Sequence, residues 1–221
     1  MKDLIISKKQ ALVSISVDDG HPLDLKTAEI LAKKNIEAIF YIPIKNSTGK
    51  PTLNKTSIRT LSQKFEIGCH TYNHIDLTRV PFVKAREEIL SGKKALEDII
   101  GIKIRSFAWP WGKYNKKLIN LVESLGFSNC RSASIINFNV FSKNAFLLKP
   151  NLHIYPHSIL KELRACIKEK DLYSLIMRLK LINKTHLGLI DIFKQMSIPF
   201  HVWFHSWEIE QYDLWDIIKR I

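Results

Sequence analysis

The run Ala11-Leu12-Val13-Ser14-Ile15-Ser16-Val17, followed at once by Asp18-Asp19-Gly20, reads as a buried strand closed by a polar turn. β-branched and apolar side chains make the run, and glycine permits the turn. The same pattern recurs along the chain. Candidate strands are Ala11 to Val17, Ala38 to Ile42, Phe65 to Cys69, Ile104 to Ala108, Ser128 to Ser132, Phe146 to His153 and Phe200 to Phe204. Candidate helices are Leu23 to Lys34, Ser57 to Lys64, Val83 to Ile100, Asn115 to Leu125, His157 to Leu181, Leu187 to Met196 and Tyr212 to Ile221. Short apolar runs alternating with amphipathic segments favour parallel strands joined by crossover helices. Seven such units suggest an α/β barrel rather than an open sheet.

The chain has 221 residues, 46% of them apolar, which suits one globular domain spanning 1–221 with a sizeable core. No stretch reaches the roughly 18 uninterrupted apolar residues of a membrane span. Met1 to Gln10 lacks the long apolar segment and cleavage site of a secretory signal, so the expected location is the cytoplasm. Cys69, Cys130 and Cys166 have no ligand-type spacing and read as reduced, buried thiols. The net charge of +13 invites a nucleic-acid reading. The lysines fall as scattered pairs (Lys8-Lys9, Lys33-Lys34, Lys93-Lys94, Lys116-Lys117) on helical stretches, where a solvated face is the ordinary explanation. An anionic substrate, or peripheral contact with an anionic membrane, accounts for the charge as well.

In α/β barrels chemistry gathers at the carboxyl ends of the strands. Asp18-Asp19, His70, Trp109-Pro110-Trp111-Gly112, Arg131, His153 and His205 all fall at or just past those ends. One Asp from Asp18-Asp19 and two His from His70-Thr71-Tyr72-Asn73-His74 make a facial set for a divalent cation, with positions open for water and substrate. The second Asp is placed to act as a base on that water, which argues for metal-assisted hydrolysis. Each motif alone has an ordinary explanation: Asp-Asp-Gly is often only a turn, and a His-x-x-x-His pair often lies on a helix surface or loop. Their joint position at the ends of two strands favours the metal.

These residues resemble the NodB-homology polysaccharide deacetylases, carbohydrate esterase family four, as a divergent member. Ser16-Val17-Asp18-Asp19-Gly20 resembles the family's Thr-Phe-Asp-Asp-Gly strand end, and His70-Thr71-x-x-His74 matches its His-Ser/Thr-x-x-His motif. Pro110-Trp111-Gly112 resembles the Pro-aromatic-Gly loop, and Val202-Trp203-Phe204-His205 the apolar strand that ends in His. The resemblance implies a distorted (β/α) barrel with about seven parallel strands. It further implies that Asp19, His70 and His74 hold the metal, that Asp18 is the general base and that His205 is the general acid for the leaving amine. Backbone N–H groups near Trp111 and Gly112 would complete an oxyanion site. Zinc is the first expectation for the ion; Co²⁺, Ni²⁺, Mn²⁺ and Fe²⁺ also suit an Asp-His-His set.

The sequence departs from the family at two points. The family's Arg two residues before the Pro is Ala108 here. Arg105, at the start of the same strand, belongs near the opposite end of the barrel, whereas Arg131 ends the next strand and is placed to pair with Asp18; an exposed or helix-capping role is the alternative for it. The Asp-containing motif that tunes the acidic His also has no counterpart between Ser128 and Pro150, which leaves Glu208 or a main-chain group to position His205. Among the aromatics, Tyr72, Trp111 and Trp207, with Gly112, are expected to meet substrate, and Trp203 to be buried. His153 reads as structural, and His201 belongs at the far end of its strand.

The sequence therefore reads as a metal-dependent hydrolase that removes an N-acyl group, acetyl or formyl, from an amino sugar, with a lipid-linked or nucleotide-linked precursor as suitable as a finished polysaccharide. A carbohydrate-binding or regulatory protein on the same scaffold is the alternative that Ala108 and the missing acidic motif keep open. Nucleic-acid binding is the weaker third.

Overall fold

A computed structural model describes residues 13–139, 144–196 and 198–221. Among these, seven strands form one sheet: β1 (Val13–Asp18), β2 (Ala38–Ile42), β3 (Glu66–Cys69), β4 (Ser106–Ala108), β5 (Asn129–Arg131), β6 (Leu152–His153) and β7 (Phe200–His205). Their order is β5-β4-β3-β2-β1-β7-β6, and neighbours are parallel throughout. The helices are α1 (Asp24–Lys33), α2 (Lys55–Ser62), α3 (Phe82–Ile100), α4 (Lys116–Ser124), α5 (Ile159–Lys168), α6 (Leu172–Lys180), α7 (Leu189–Gln195), α8 (Ser206–Gln211) and α9 (Trp215–Arg220). None is long and apolar enough to cross a membrane.

The sheet curls into a half-barrel, the distorted (β/α) barrel that the sequence suggests. Between the outer strands β5 and β6 the gap is crossed by chain rather than by a full strand pair. Arg131 bridges Leu148 in parallel and Ile136 bridges Leu152 in antiparallel fashion, while the Ser132 N–H donates to the Leu148 carbonyl at 2.9 Å.

β1 lies inside the sheet between β2 and β7, and although its sequence alternates apolar residues with serine, Ile15, Ser16 and Val17 are all buried, Ser16 Oγ sharing a hydrogen bond of 2.9 Å with His201 Nε2. Val17, Phe40 and Phe204 are fully buried at one register level, each worth roughly 1.5–3 kcal/mol of burial. The next level pairs Asp18 with Tyr41 on one side and His205 on the other, so core packing hands directly over to polar groups at the mouth. Helix α3 buries Ala85, Ile89, Gly92, Leu96 and Ile99, one stripe at helical spacing, and stops at Gly101 with φ 77°. At Gly92 a Cβ would sit 2.6 Å from the Thr71 carbonyl carbon and 2.9 Å from the Tyr72 nitrogen. Glycine therefore lets the helix press against the loop that follows β3.

The structure corrects several expected elements. Ala11 and Leu12, like Met1 to Gln10, lie outside the described residues. The expected strand Phe146 to His153 is reduced to Leu152–His153: Asn144 caps a 3₁₀ turn over Ala145–Leu147, and Pro150 has no N–H for a ladder. The expected helix His157 to Leu181 is two helices, separated at Lys170, which has φ 54°, and restarted by Asp171, whose carboxylate accepts from the Ser174 N–H at 3.0 Å. Tyr212 to Ile221 yields only α9, while α8 starts directly after β7. Cys69, Cys130 and Cys166 are buried free thiols.

Candidate functional site

β1 delivers Asp18 and Asp19 to the mouth. Consecutive side chains on a strand face opposite ways, but Asp19 has φ 80° and Gly20 φ 58°. This left-handed turn brings both carboxylates into one cavity. A Cβ at Gly20 would meet Ile42 Cγ2 at 2.7 Å, so the turn needs glycine.

The loop after β3 carries His70 and His74 in an equally constrained form, with φ 67° at Thr71 and 54° at His74. Buried Glu88 of α3 holds it from behind: its carboxylate accepts from the Asn73 N–H at 2.9 Å and from Asn73 Nδ2 at 2.7 Å. The Glu88 carbonyl accepts from the Tyr72 N–H at 3.0 Å, and Thr71 Oγ1 accepts from the His74 N–H at 3.0 Å.

His70 Nδ1–H donates to the Ala108 carbonyl at 2.9 Å, which leaves its Nε2 free to face Asp19 Oδ1 at 3.9 Å. His74 Nε2 lies 3.2 Å from the same oxygen. Buried Asp19 Oδ1 has no hydrogen-bond partner, while Oδ2 accepts from Trp207 Nε1 at 3.0 Å. One ligand atom from each of Asp19, His70 and His74 falls within 4.8 Å of the others. Burial lowers the pKa of His70, and burial with the neighbouring His70 lowers that of His74 to about 4. Both imidazoles are therefore neutral and able to ligate near neutral pH. An orphaned anionic oxygen between two neutral nitrogens, one oriented by a backbone carbonyl, fits a divalent cation.

Arg131 Nη2 donates to both carboxylate oxygens of Asp18, and Nη1 donates to the Ser132 carbonyl at 2.7 Å. The guanidinium lies between the rings of Tyr41 and Trp203, 5.1 and 5.0 Å from their centroids. Burial opposes ionisation of Asp18, but Arg131, with His70 and His205, holds its pKa below the ordinary value. In the β4–β5 register Arg131 is the partner of Ala108, so the cation enters at the level of the alanine but from the adjacent strand.

His205 lies on the other side of Asp19, its Nε2 3.9 Å from Oδ2. Because α8 begins at the next residue, Glu208 comes round one turn later and accepts from His205 Nδ1–H at 2.6 Å. The same Glu208 oxygen accepts from His153 Nε2–H at 3.1 Å, and His153 Nδ1 shares a hydrogen bond of 2.9 Å with His157 Nε2. Burial opposes the charge on His205, yet the Glu208 hydrogen bond and Asp19 raise its pKa to about 9. Burial acts in the same direction on His153 and there outweighs the Glu208 hydrogen bond, so its pKa falls to about 4. The 2.6 Å separation is a hydrogen bond's; two ligands at about 2.1 Å from a tetrahedral ion would stand roughly 3.4 Å apart.

A cavity of about 290 Å³ opens over these groups, lined by Asp18, Asp19, His70, His74, His205 and Glu208, with Trp111, Gly112 and Trp207 at its edge. Trp111 is 57% exposed. Lys50 Nζ sits 4.1 Å over the Trp207 ring. Tyr72 does not line this cavity; Lys45 lies 6.0 Å from its ring centroid instead. The Gly112 N–H is committed to the Trp109 carbonyl at 2.9 Å. Trp203 is buried and donates to the Ser134 carbonyl at 2.7 Å.

Two contributors escape sequence reasoning. His153 reads as structural, yet it backs Glu208; the available signal is that His153 and His157 repeat the spacing of His70 and His74. Asp24 is wholly buried near Asp19 and His205, and burial raises its pKa well above the usual range. Its place in the first turn of α1 suggests only a helix-start carboxylate.

The family model described as polysaccharide deacetylase matches residues 6–130, a stretch that ends just before Arg131. A chitooligosaccharide deacetylase of Azorhizobium caulinodans is 27% identical over 55% of this chain and 58% of its own length. A peptidoglycan-N-acetylglucosamine deacetylase of Bacillus cereus is 27% identical over 47% of this chain and 38% of its own. The chain spans between 19% and 58% of the curated relatives it matches. A solved family 4 carbohydrate esterase from Streptomyces lividans in complex with acetate superposes with a TM-score of 0.58 at 13% identity, covering 95% of this chain and 86% of that one. At that identity the likeness speaks for the fold.

Proposed function

The chain belongs to the polysaccharide deacetylase family, a divergent NodB-type member, and from that premise we propose that it is a metal-dependent hydrolase removing an N-acetyl or N-formyl group from an amino sugar. The observation that carries the reading is the convergence of Asp19 Oδ1, unbonded and buried, with the Nε2 atoms of His70 and His74. Asp19, His70 and His74 would hold the ion, with Zn²⁺ as the first choice. When bound, such an ion supplies a lowered pKa for water and polarisation of the acyl oxygen.

The protein groups then divide the proton work. Asp18, kept ionised by Arg131, accepts a proton at its carboxylate. His205, protonated and oriented through Nδ1 by Glu208, presents Nε2–H to the leaving amine, which departs poorly without a proton. Trp111 and Trp207 would offer flat faces to a sugar ring, and the Trp111 N–H would serve the developing oxyanion, since the Gly112 N–H is committed to the Trp109 carbonyl.

The test is release of acetate or formate from N-acyl amino sugars by protein loaded with Zn²⁺, Co²⁺, Ni²⁺, Mn²⁺ or Fe²⁺, compared with Asp18→Asn and His205→Ala. Release abolished in both variants, with metal binding retained, supports the reading. Absence of release from every substrate by metal-loaded protein defeats it.

A further inference from the structure

Helix α6 carries apolar side chains on its outward face as well as its inward one. Ser174 and Arg178, both 0% exposed, lie inward with Leu175 and Met177, which pack on the core, while Leu172, Ile176 and Leu179 on the outward face are 67%, 44% and 47% exposed. Tyr173 and Ile182 extend the apolar surface at 49% and 48%, and α5 adds Leu160 and Ile167. Leu172, Ile176 and Leu179 stand at i, i+4 and i+7, one continuous stripe. The inner face is fully committed: the Arg178 guanidinium pairs with buried Glu162 of α5 and donates to the Lys184 carbonyl at 2.9 Å. A rotation of α6 that buried the leucines would expose that pair, so the apolar stripe is locked outward. An exposed apolar stripe of this kind marks an interaction site.

The charges around the stripe have one sign. Lys161, Arg164, Lys168, Lys170, Lys180 and Lys184 are exposed on α5, α6 and their flanks. The acids between Ile159 and Thr185 are otherwise engaged: Glu162 is buried with Arg178, Glu169 bridges Lys149 at 2.7 Å, and Asp171 caps α6. A second copy would bring the same cations against these, which disfavours self-association. Apolar side chains lying in a cationic surround fit the boundary of an anionic bilayer, where the former enter the acyl margin and the latter meet lipid phosphates.

We propose that the α5–α6 hairpin docks this protein on an anionic membrane surface. α5 also turns Lys161, Arg164 and Lys168 onto an open groove that passes Trp111 and Gly112, so a docked bilayer lies beside the mouth of the cavity. The inference rests on the polarity of the hairpin and on none of the hydrolytic chemistry.

The experiment is co-sedimentation of the intact protein with phosphatidylglycerol-containing vesicles and with pure phosphatidylcholine vesicles, alongside its molar mass in solution. Expected are binding to the anionic vesicles only, weakening with salt, and a monomer without lipid. Leu172→Gln, Ile176→Gln and Leu179→Gln together should abolish binding. Lys170→Gln, Lys180→Gln and Lys184→Gln, which leave the apolar stripe intact, should weaken it about a hundred-fold, since each cation near such a surface contributes roughly fivefold. Equal binding to both vesicle types, no binding to either, or a dimer dissolved by the leucine substitutions would each overturn the proposal.

Discussion

The Arg131 guanidinium engages both carboxylate oxygens of Asp18 from the neighbouring position to Ala108 on the adjacent strand. A buried carboxylate that must stay ionised needs a cation, and the register makes positions 108 and 131 alternative sources at one level of the barrel. Arg131→Ala should lower kcat/KM about 10- to 100-fold and destabilise the fold by about 3–5 kcal/mol, because Asp18 remains buried without its partner. Adding Ala108→Arg to that variant should recover part of the activity; recovery of stability alone would assign Arg131 a purely structural role.

The same pair fixes an acid dependence. The folded pKa of Asp18 is depressed below 3.8, so its contribution is present above that value and is lost as pH falls through the folded pKa. The stability difference between the native protein and Arg131→Ala, followed by urea unfolding, should therefore narrow on acidification.

His205 runs with the opposite sign. Its pKa is raised to about 9 from 6.5, so its contribution is present below 6.5 and disappears as pH rises through about 9. In metal-stripped protein the His205 imidazole should titrate near 9 by NMR, and Glu208→Gln should bring it down towards the ordinary value. Comparing melting temperatures, Glu208→Gln should cost more near pH 6 than near pH 10.

Gly92 packs against the backbone of the loop that carries His70 and His74. A methyl group there must displace the Thr71 and Tyr72 backbone, and the displacement passes to His70 and His74. Gly92→Ala should weaken zinc binding about tenfold and cost about 1–3 kcal/mol, read by titration calorimetry and thermal melts. Unchanged zinc affinity in a destabilised protein would show that the loop relaxes independently of α3.

Much of this arrangement is legible in the sequence because it depends on local pattern. The strands around Asp18, His70 and His205 are apolar runs ended by polar residues, and the order of those ends follows from the alternation with helices. Arg131 can be proposed for Asp18 because it closes a strand. What the sequence conceals is set by turns that carry no marker residue: the break at Lys170 lacks glycine and proline, and α8 begins immediately after β7. That early start brings Glu208 onto His205, and His153 onto Glu208, contacts that spacing alone leaves open. Tyr72, named from its place between the two histidines, does not line the cavity; the left-handed backbone at Thr71 and His74 breaks the regular spacing on which that expectation rests.

The Glu162–Arg178 pair behind α6 lends itself to a double-mutant cycle. Both side chains are 0% exposed, and Glu162 also accepts from His186 Nδ1–H at 2.8 Å. Arg178→Met leaves that carboxylate buried with less compensation, and Glu162→Leu strands the guanidinium; each should cost about 3–5 kcal/mol in urea unfolding. The double variant removes both charges and fills the space with apolar groups, so it should be more stable than either single variant. Because His186 Nε2 also lies 2.7 Å from the His153 carbonyl oxygen, losing Glu162 should loosen His153 and lower kcat with little change in KM. An additive double variant would mean that the two charges are satisfied separately and that the hairpin does not depend on their contact.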